Sequence, residues 1–148
     1  MNEFFAPFVS EFIEPFGNVS WQASALRLVA AAILGGCIGW ERERHDKAAG
    51  LRTHMIVATA ACLFTLIAFD LMTVPPSEDD ILRTDPLRLI EAVTAGVAFL
   101  AAGVIFMSGG QPRGLTTGAG LWLSGAIGLA SGTGNIALAL MATALAVA

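Results

Sequence analysis

One lysine, Lys47, stands in 148 residues, and that scarcity already excludes chemistry. A phosphate-binding loop needs a lysine followed by serine or threonine after a glycine-rich turn, but Lys47 precedes Ala48. The Asp46-Lys47 pair also lacks the Thr-Gly-Thr that follows the phosphorylated aspartate of P-type pumps, which argues against ATP hydrolysis. The two cysteines, Cys37 and Cys62, form no CxxC or Cys/His spacing and read as small packing residues. The two histidines, His45 and His54, are nine apart, whereas a zinc-protease helix needs a pair at i, i+4. Charge is scarce as well, at 14% against about a quarter in a soluble domain. With a net charge of −4 and no basic stripe, nucleic acid is not an expected partner.

What replaces charge is apolar sequence: 55% of the chain is hydrophobic and its mean hydropathy is +0.71. A bilayer core of about 30 Å needs about 20 mostly apolar residues in a helix. Five segments approach that length: 21–40, 51–74, 88–108, 114–131 and a short 135–148. The expected fold is therefore an all-α polytopic bundle of about five spans, one transmembrane domain over 21–148. Residues 1–20 precede it, with Phe4, Phe8, Phe12 and Phe16 recurring every fourth position. That period predicts a short amphipathic helix in the outer interface, ended or kinked by Pro15. The acidic start lacks the basic n-region of a signal peptide, so the first span is expected to be retained.

Charge gathers in one place. Seven charged residues fall within Trp40–His54, "WERERHDKAAGLRTH", between apolar flanks. Lys and Arg in short loops mark the cytoplasmic side. Arg42, Arg44, Lys47, Arg52 and Arg113 stand on one side, against Arg27, Arg83 and Arg88 on the other, where acids dilute them. The bias puts residues 41–52 and 108–114 in the cytoplasm, 74–87 and the N-terminus outside, and the C-terminus inside. Glu–Arg pairs at i, i+3 are worth only tenths of a kcal/mol, so local helix stability does not explain the cluster. It serves topology, and is expected to tie the first loop to the third, Arg52 or Arg113 packing against Glu41 or Glu43.

Helices in lipid associate through small residues that let backbones approach. Gly35 with Gly39, Gly114 with Gly118, and Gly128 with Gly132 form GxxxG pairs, and Gly96 and Gly103 lie on the third span. These predict a tightly packed bundle, continued across a homodimer interface. "RLVAAAILGGCIG" and "RLIEAVTAGVAFLAAG", followed by "GLRT" and "GLTT", suggest a parallel repeat of spans one-two and three-four.

Ionisable residues inside spans are functional candidates. Here they are Arg27, Asp70 and Glu91, placed by helical rise at similar depths of about 5–9 Å from the outer face. One reading has Arg27 neutralising both acids and locking three helices. The other has Asp70 and Glu91 as an outward-facing cation site, chemically sufficient for Mg2+, which is often held by one or two carboxylates and retained waters. A surface for a protein partner is offered instead by the cytoplasmic face: Glu41, Arg42, Glu43, Gly50, Leu51, Arg52, Thr53, His54, Arg113 and Gly114.

The segments "RLVAAAILGGCIGWERE", "AGLRTHMIV", "DPLRLIEAVTAGVAFLAAGVI" and "RGLTTGAGLW", in this order over most of residues 27–122, resemble the MgtC/SapB family of bacterial inner-membrane proteins. The resemblance implies about five transmembrane helices and no enzymatic activity or required cofactor. It also implies a role in magnesium homeostasis and growth at low magnesium, associated with virulence in pathogens. Family members are thought to modulate membrane potential or a membrane ATPase rather than transport magnesium; a divalent-cation channel or carrier is the alternative. Some members carry a C-terminal cytosolic domain, for which this sequence has no residues after Ala148, and many have glutamine where Glu91 stands.

Overall fold

The computed structural model describes residues 19–72, 85–108 and 110–148. Within these, helices α1 (Trp21–Arg44), α2 (Leu51–Met72) and α3 (Pro86–Gly103) are followed by two short strands, β1 (Phe106–Ser108) and β2 (Gln111–Arg113), then α4 (Leu115–Gly132) and α5 (Ile136–Val147). The interfacial helix expected before residue 19 and the connection over 73–84 lie outside the described residues.

The starts of α1, α3 and α4 are locally encoded. The Ser20 hydroxyl accepts from Ala23 N at 3.3 Å to cap α1. Asp85 caps α3, its carboxylate accepting from Leu87 N at 2.9 Å, with Pro86 in the first turn where no amide is needed. α4 begins after Gly114, whose φ of 85° is left-handed. A side chain there would also strike the Val104 carbonyl, so glycine is required twice over.

The third helix ends at Gly103, five residues short of the expected span, because the chain turns into an antiparallel β-hairpin pairing Phe106 with Arg113 and Ser108 with Gln111. Pro112 is tolerated since a two-stranded ribbon has only edges. Gly110, at φ 78°, provides the reversal.

α4 is the hub, packing against α1, α2, α3 and α5. Its inward face is built almost wholly from small residues: Thr117, Gly118, Gly120, Ser124, Gly125, Gly128, Ser131 and Gly132, with Leu121 and Ile127 among them. A Cβ on Gly128 would collide with the Ala58 carbonyl, and one on Gly132 would lie 2.5 Å from Thr65 Cβ. So α2 and α4 touch nearly backbone to backbone, where dispersion contacts are densest. α3 is different. It buries Val93, Val97 and Ala101 and leaves most of its 18 residues exposed.

α1, α2 and α3 are long and apolar enough to cross a membrane. α4, at 18 residues, is diluted by five glycines, two serines and two threonines. α5 is apolar but has 12 residues, about 18 Å of helix, so a crossing there needs an interfacial start to complete it.

Candidate functional site

The charged stretch becomes the corner where α1 hands over to α2. The last turn of α1 closes through Lys47 N to Arg42 O and Asp46 N to Glu43 O, both 3.2 Å, with Asp46 at φ 50°. Glu41 Oε2 lies 3.0 Å from Arg42 Nε, an ionic contact whose two atoms are both buried and not aligned as a hydrogen bond. His45 Nδ1 donates to the Glu41 carbonyl at 2.8 Å and sits 3.2 Å from the Glu41 carboxylate. The Arg44 guanidinium lies over Trp40, 5.9 Å from its ring centre.

Glu43 does something that spacing alone conceals. Its Oε2 accepts from Leu51 N at 2.8 Å, capping the start of α2 from the end of α1. The first amides of a helix lack intrahelical partners, and a carboxylate there also meets the positive end of the helix dipole. Gly50 makes room for it, since a Cβ would lie 2.6 Å from Glu43 Oε2.

His54, one turn into α2, is completely buried. Its Nδ1 is 2.9 Å from the Gly50 carbonyl. A carbonyl can only accept, so Nδ1 carries a proton and donates to it. Nε2 has no hydrogen-bond partner within the described residues. It points at Gly120 of α4, 3.0 Å from where a Cβ would be, and Arg42 Nε is 3.8 Å from that same point. Three helices therefore converge on one small polar space. Gly39 fits the same corner, its missing Cβ leaving 2.6 Å to Leu51 Cα and 2.8 Å to the Gly50 carbonyl. Gly35 does so one turn on, 2.7 Å from the His54 carbonyl.

Among the residues expected at this face, Glu41, Arg42, Glu43, Gly50, Leu51 and His54 come together. Arg52, Thr53 and Arg113 are exposed, and neither arginine is paired with Glu41 or Glu43 within the described residues. The first loop is thus joined to α2 and α4 rather than to the third loop. Gly120 was missed by the sequence reading. Its signal is the run of small residues at every fourth position, Gly120, Ser124, Gly128 and Gly132, which marks one continuous helix face.

The three charges expected inside spans are distributed differently. Arg27 Nη1 donates to the Gly132 carbonyl at 2.8 Å, capping the end of α4, and Gly134 at φ 86° leaves space for its guanidinium. Asp70 is half-buried on α2, and Glu91 is exposed on α3. A Cβ on Gly118 would lie 3.1 Å from the Ala101 carbonyl, while Gly96 and Gly103 have nothing within 4 Å of a Cβ position. Among the described residues, no three His, Cys, Asp or Glu side chains group closely enough to hold a metal ion.

The MgtC family model matches residues 28–148. Protein MgtC of Salmonella typhimurium (strain LT2) is 42% identical over 118 residues, covering 80% of this chain and 47% of that protein. Protein MgtC of Brucella abortus (strain 2308) is 38% identical over 125 residues, 84% of this chain and 49% of that protein. An uncharacterized protein of Haemophilus influenzae is 37% identical over 120 residues, 80% of this chain and 50% of that protein. The chain thus spans about half the length of these relatives. No solved structure matches it. A match over residues 28–148, which takes in the α1–α2 corner and the whole of α4, places the chain in the MgtC family.

Proposed function

We propose that the chain is a non-enzymatic, multi-pass protein of the bacterial inner membrane that modulates magnesium and ion homeostasis. In this reading it supports adaptation to low magnesium, and survival of pathogens in the host, by acting on membrane potential or on a membrane ATPase. Five helices cross the bilayer, with the N-terminus outside and the α1–α2 corner in the cytoplasm, and the chain works as a homo-oligomer.

The observation that carries this reading is how the corner divides its charges. Glu41, Glu43 and His54 are engaged with the protein's own backbone and side chains. Arg44, Lys47 and Arg52 are exposed on the frame so fixed. Rigid presentation of exposed cations suits recognition of a partner surface, because little side-chain or loop ordering is left to be lost on binding.

The test pairs two measurements. Arg44→Ala/Arg52→Ala is expected to abolish support of growth at low magnesium while leaving expression and melting temperature unchanged. Purified protein in liposomes is expected to pass no magnesium. Magnesium flux through the reconstituted protein would replace this reading with a divalent-cation channel or carrier.

A further inference from the structure

We propose that the outward face of α3 is a two-fold interface with a second copy of this chain, locked by reciprocal Arg88–Glu91 ion pairs. The proposal requires that α3 lie in the membrane but not that the protein act on ion homeostasis.

The helix makes one side for its own bundle and another for something else. Val93, Val97 and Ala101, its buried residues, share one stripe. On the opposite side Arg88, Glu91, Ala95, Ala98 and Ala102 recur at alternating steps of three and four, and all five are exposed. That alternation is the seam along which two helices cross at a small angle, as in left-handed coiled coils. Three alanines give close backbone approach.

The two charges identify the occupant. Neither the Arg88 nor the Glu91 side chain has an ion-pair or hydrogen-bond partner among the described residues, though they lie three apart on one helix. Glu91 stands about 8 Å inside the start of α3. A carboxylate facing hydrocarbon at that depth is unfavourable unless paired. Lipid offers the alanines no specific partner, and an acidic or a basic partner helix would satisfy one charge and oppose the other. A copy of the same helix satisfies both. In an isologous contact residue i meets j and j meets i. Two parallel α3 helices then set each Arg88 one layer from the partner's Glu91, giving two equivalent pairs around the axis.

Charge exchange tests this in native membranes, starting from a functional background in which Cys37 and Cys62 are replaced by serine. Ala95→Cys is expected to form a disulfide-linked dimer on mild oxidation, whereas Phe64→Cys, exposed on α2, is not. Adding Glu91→Arg, or Arg88→Glu, opposes like charges across the seam, and the cross-linked fraction is expected to fall at least about tenfold. Combining Arg88→Glu with Glu91→Arg restores the pairs and the cross-link, which a variant that merely misfolds would not do. Cross-linking that survives the single exchanges, or that the double exchange fails to restore, overturns the proposal. So does equal cross-linking through Phe64→Cys. A wild-type protein that is monomeric and still supports growth at low magnesium would overturn the interface and the homo-oligomer, and leave the role in ion homeostasis untouched.

Discussion

At the scale of single residues, the fold turns on which glycines meet backbone. Glycine motifs are plain in the sequence, but their contacts depend on helix rotation, which spacing does not give. Gly128 presses on the Ala58 carbonyl, whereas Gly96 of the same residue type has open space. Gly128→Ala is therefore expected to cost about 1–3 kcal/mol through overpacking, and Gly96→Ala less than about 0.5 kcal/mol. Thermal unfolding in detergent checks this, and equal shifts for the two would count against the α2–α4 contact. Glu43 was legible as a charge in a topology-setting loop but not as a cap, since it reaches an amide eight residues away. Glu43→Ala is expected to cost about 1 kcal/mol, typical of a lost N-terminal cap. Glu43→Gln, which keeps an acceptor oxygen, should retain most of it, and fraying of Leu51–His54 by hydrogen exchange would report the difference.

At the scale of elements, apolar runs marked where the five helices stand, because a 3.6-residue period and flanking charges are properties of local sequence. The hairpin over residues 106–113 was not expected. It interrupts what hydropathy reads as a continuing span, and its cues, Gly110 and Pro112, are short-range signals inside an apolar flank. Arg27 shows the other limit. Its depth was countable, but its hydrogen-bond partner is a backbone carbonyl more than a hundred residues away, invisible to any matching of opposite charges. That bond ties α1 to the end of α4, where a cation also meets the negative end of the helix dipole. Arg27→Leu should destabilise the protein by about 1.5–3 kcal/mol, the range for hydrogen bonds to charged groups. Arg27→Lys should recover part of the loss, because the charge remains while the planar fork is gone. Melting temperatures in detergent that place Leu level with Lys would show that packing, not the charged bond, accounts for the loss.

At the scale of the whole molecule, the question is which end of the bundle faces the cytoplasm. The α1–α2 corner and the β-hairpin lie on one side of alternating helices, and the α4–α5 turn lies on the other if every helix crosses. The corner carries Arg42, Arg44, Lys47 and Arg52, and the hairpin adds Arg113; the α4–α5 turn, Thr133–Asn135, has no charge at all. Short basic loops resist translocation, so the corner is expected to face the cytoplasm. The five-span reading and the orientation are tested together by single cysteines in a background with Cys37 and Cys62 replaced by serine. Ala48 and Thr133 are both exposed, so each can report the aqueous phase it faces. Thr133→Cys is expected to react with a membrane-impermeant maleimide on intact spheroplasts, and Ala48→Cys only after the membrane is opened. The reverse pattern would invert the molecule, moving the cationic corner away from any cytoplasmic partner. Labelling of both sites from the outside would mean that the connection between them does not make an odd number of crossings, removing α4 as a span despite its place at the centre of the packing. Either outcome bears on function directly, because the same exposed arginines can engage a cytoplasmic ATPase surface only from the side that the charge asymmetry assigns to them.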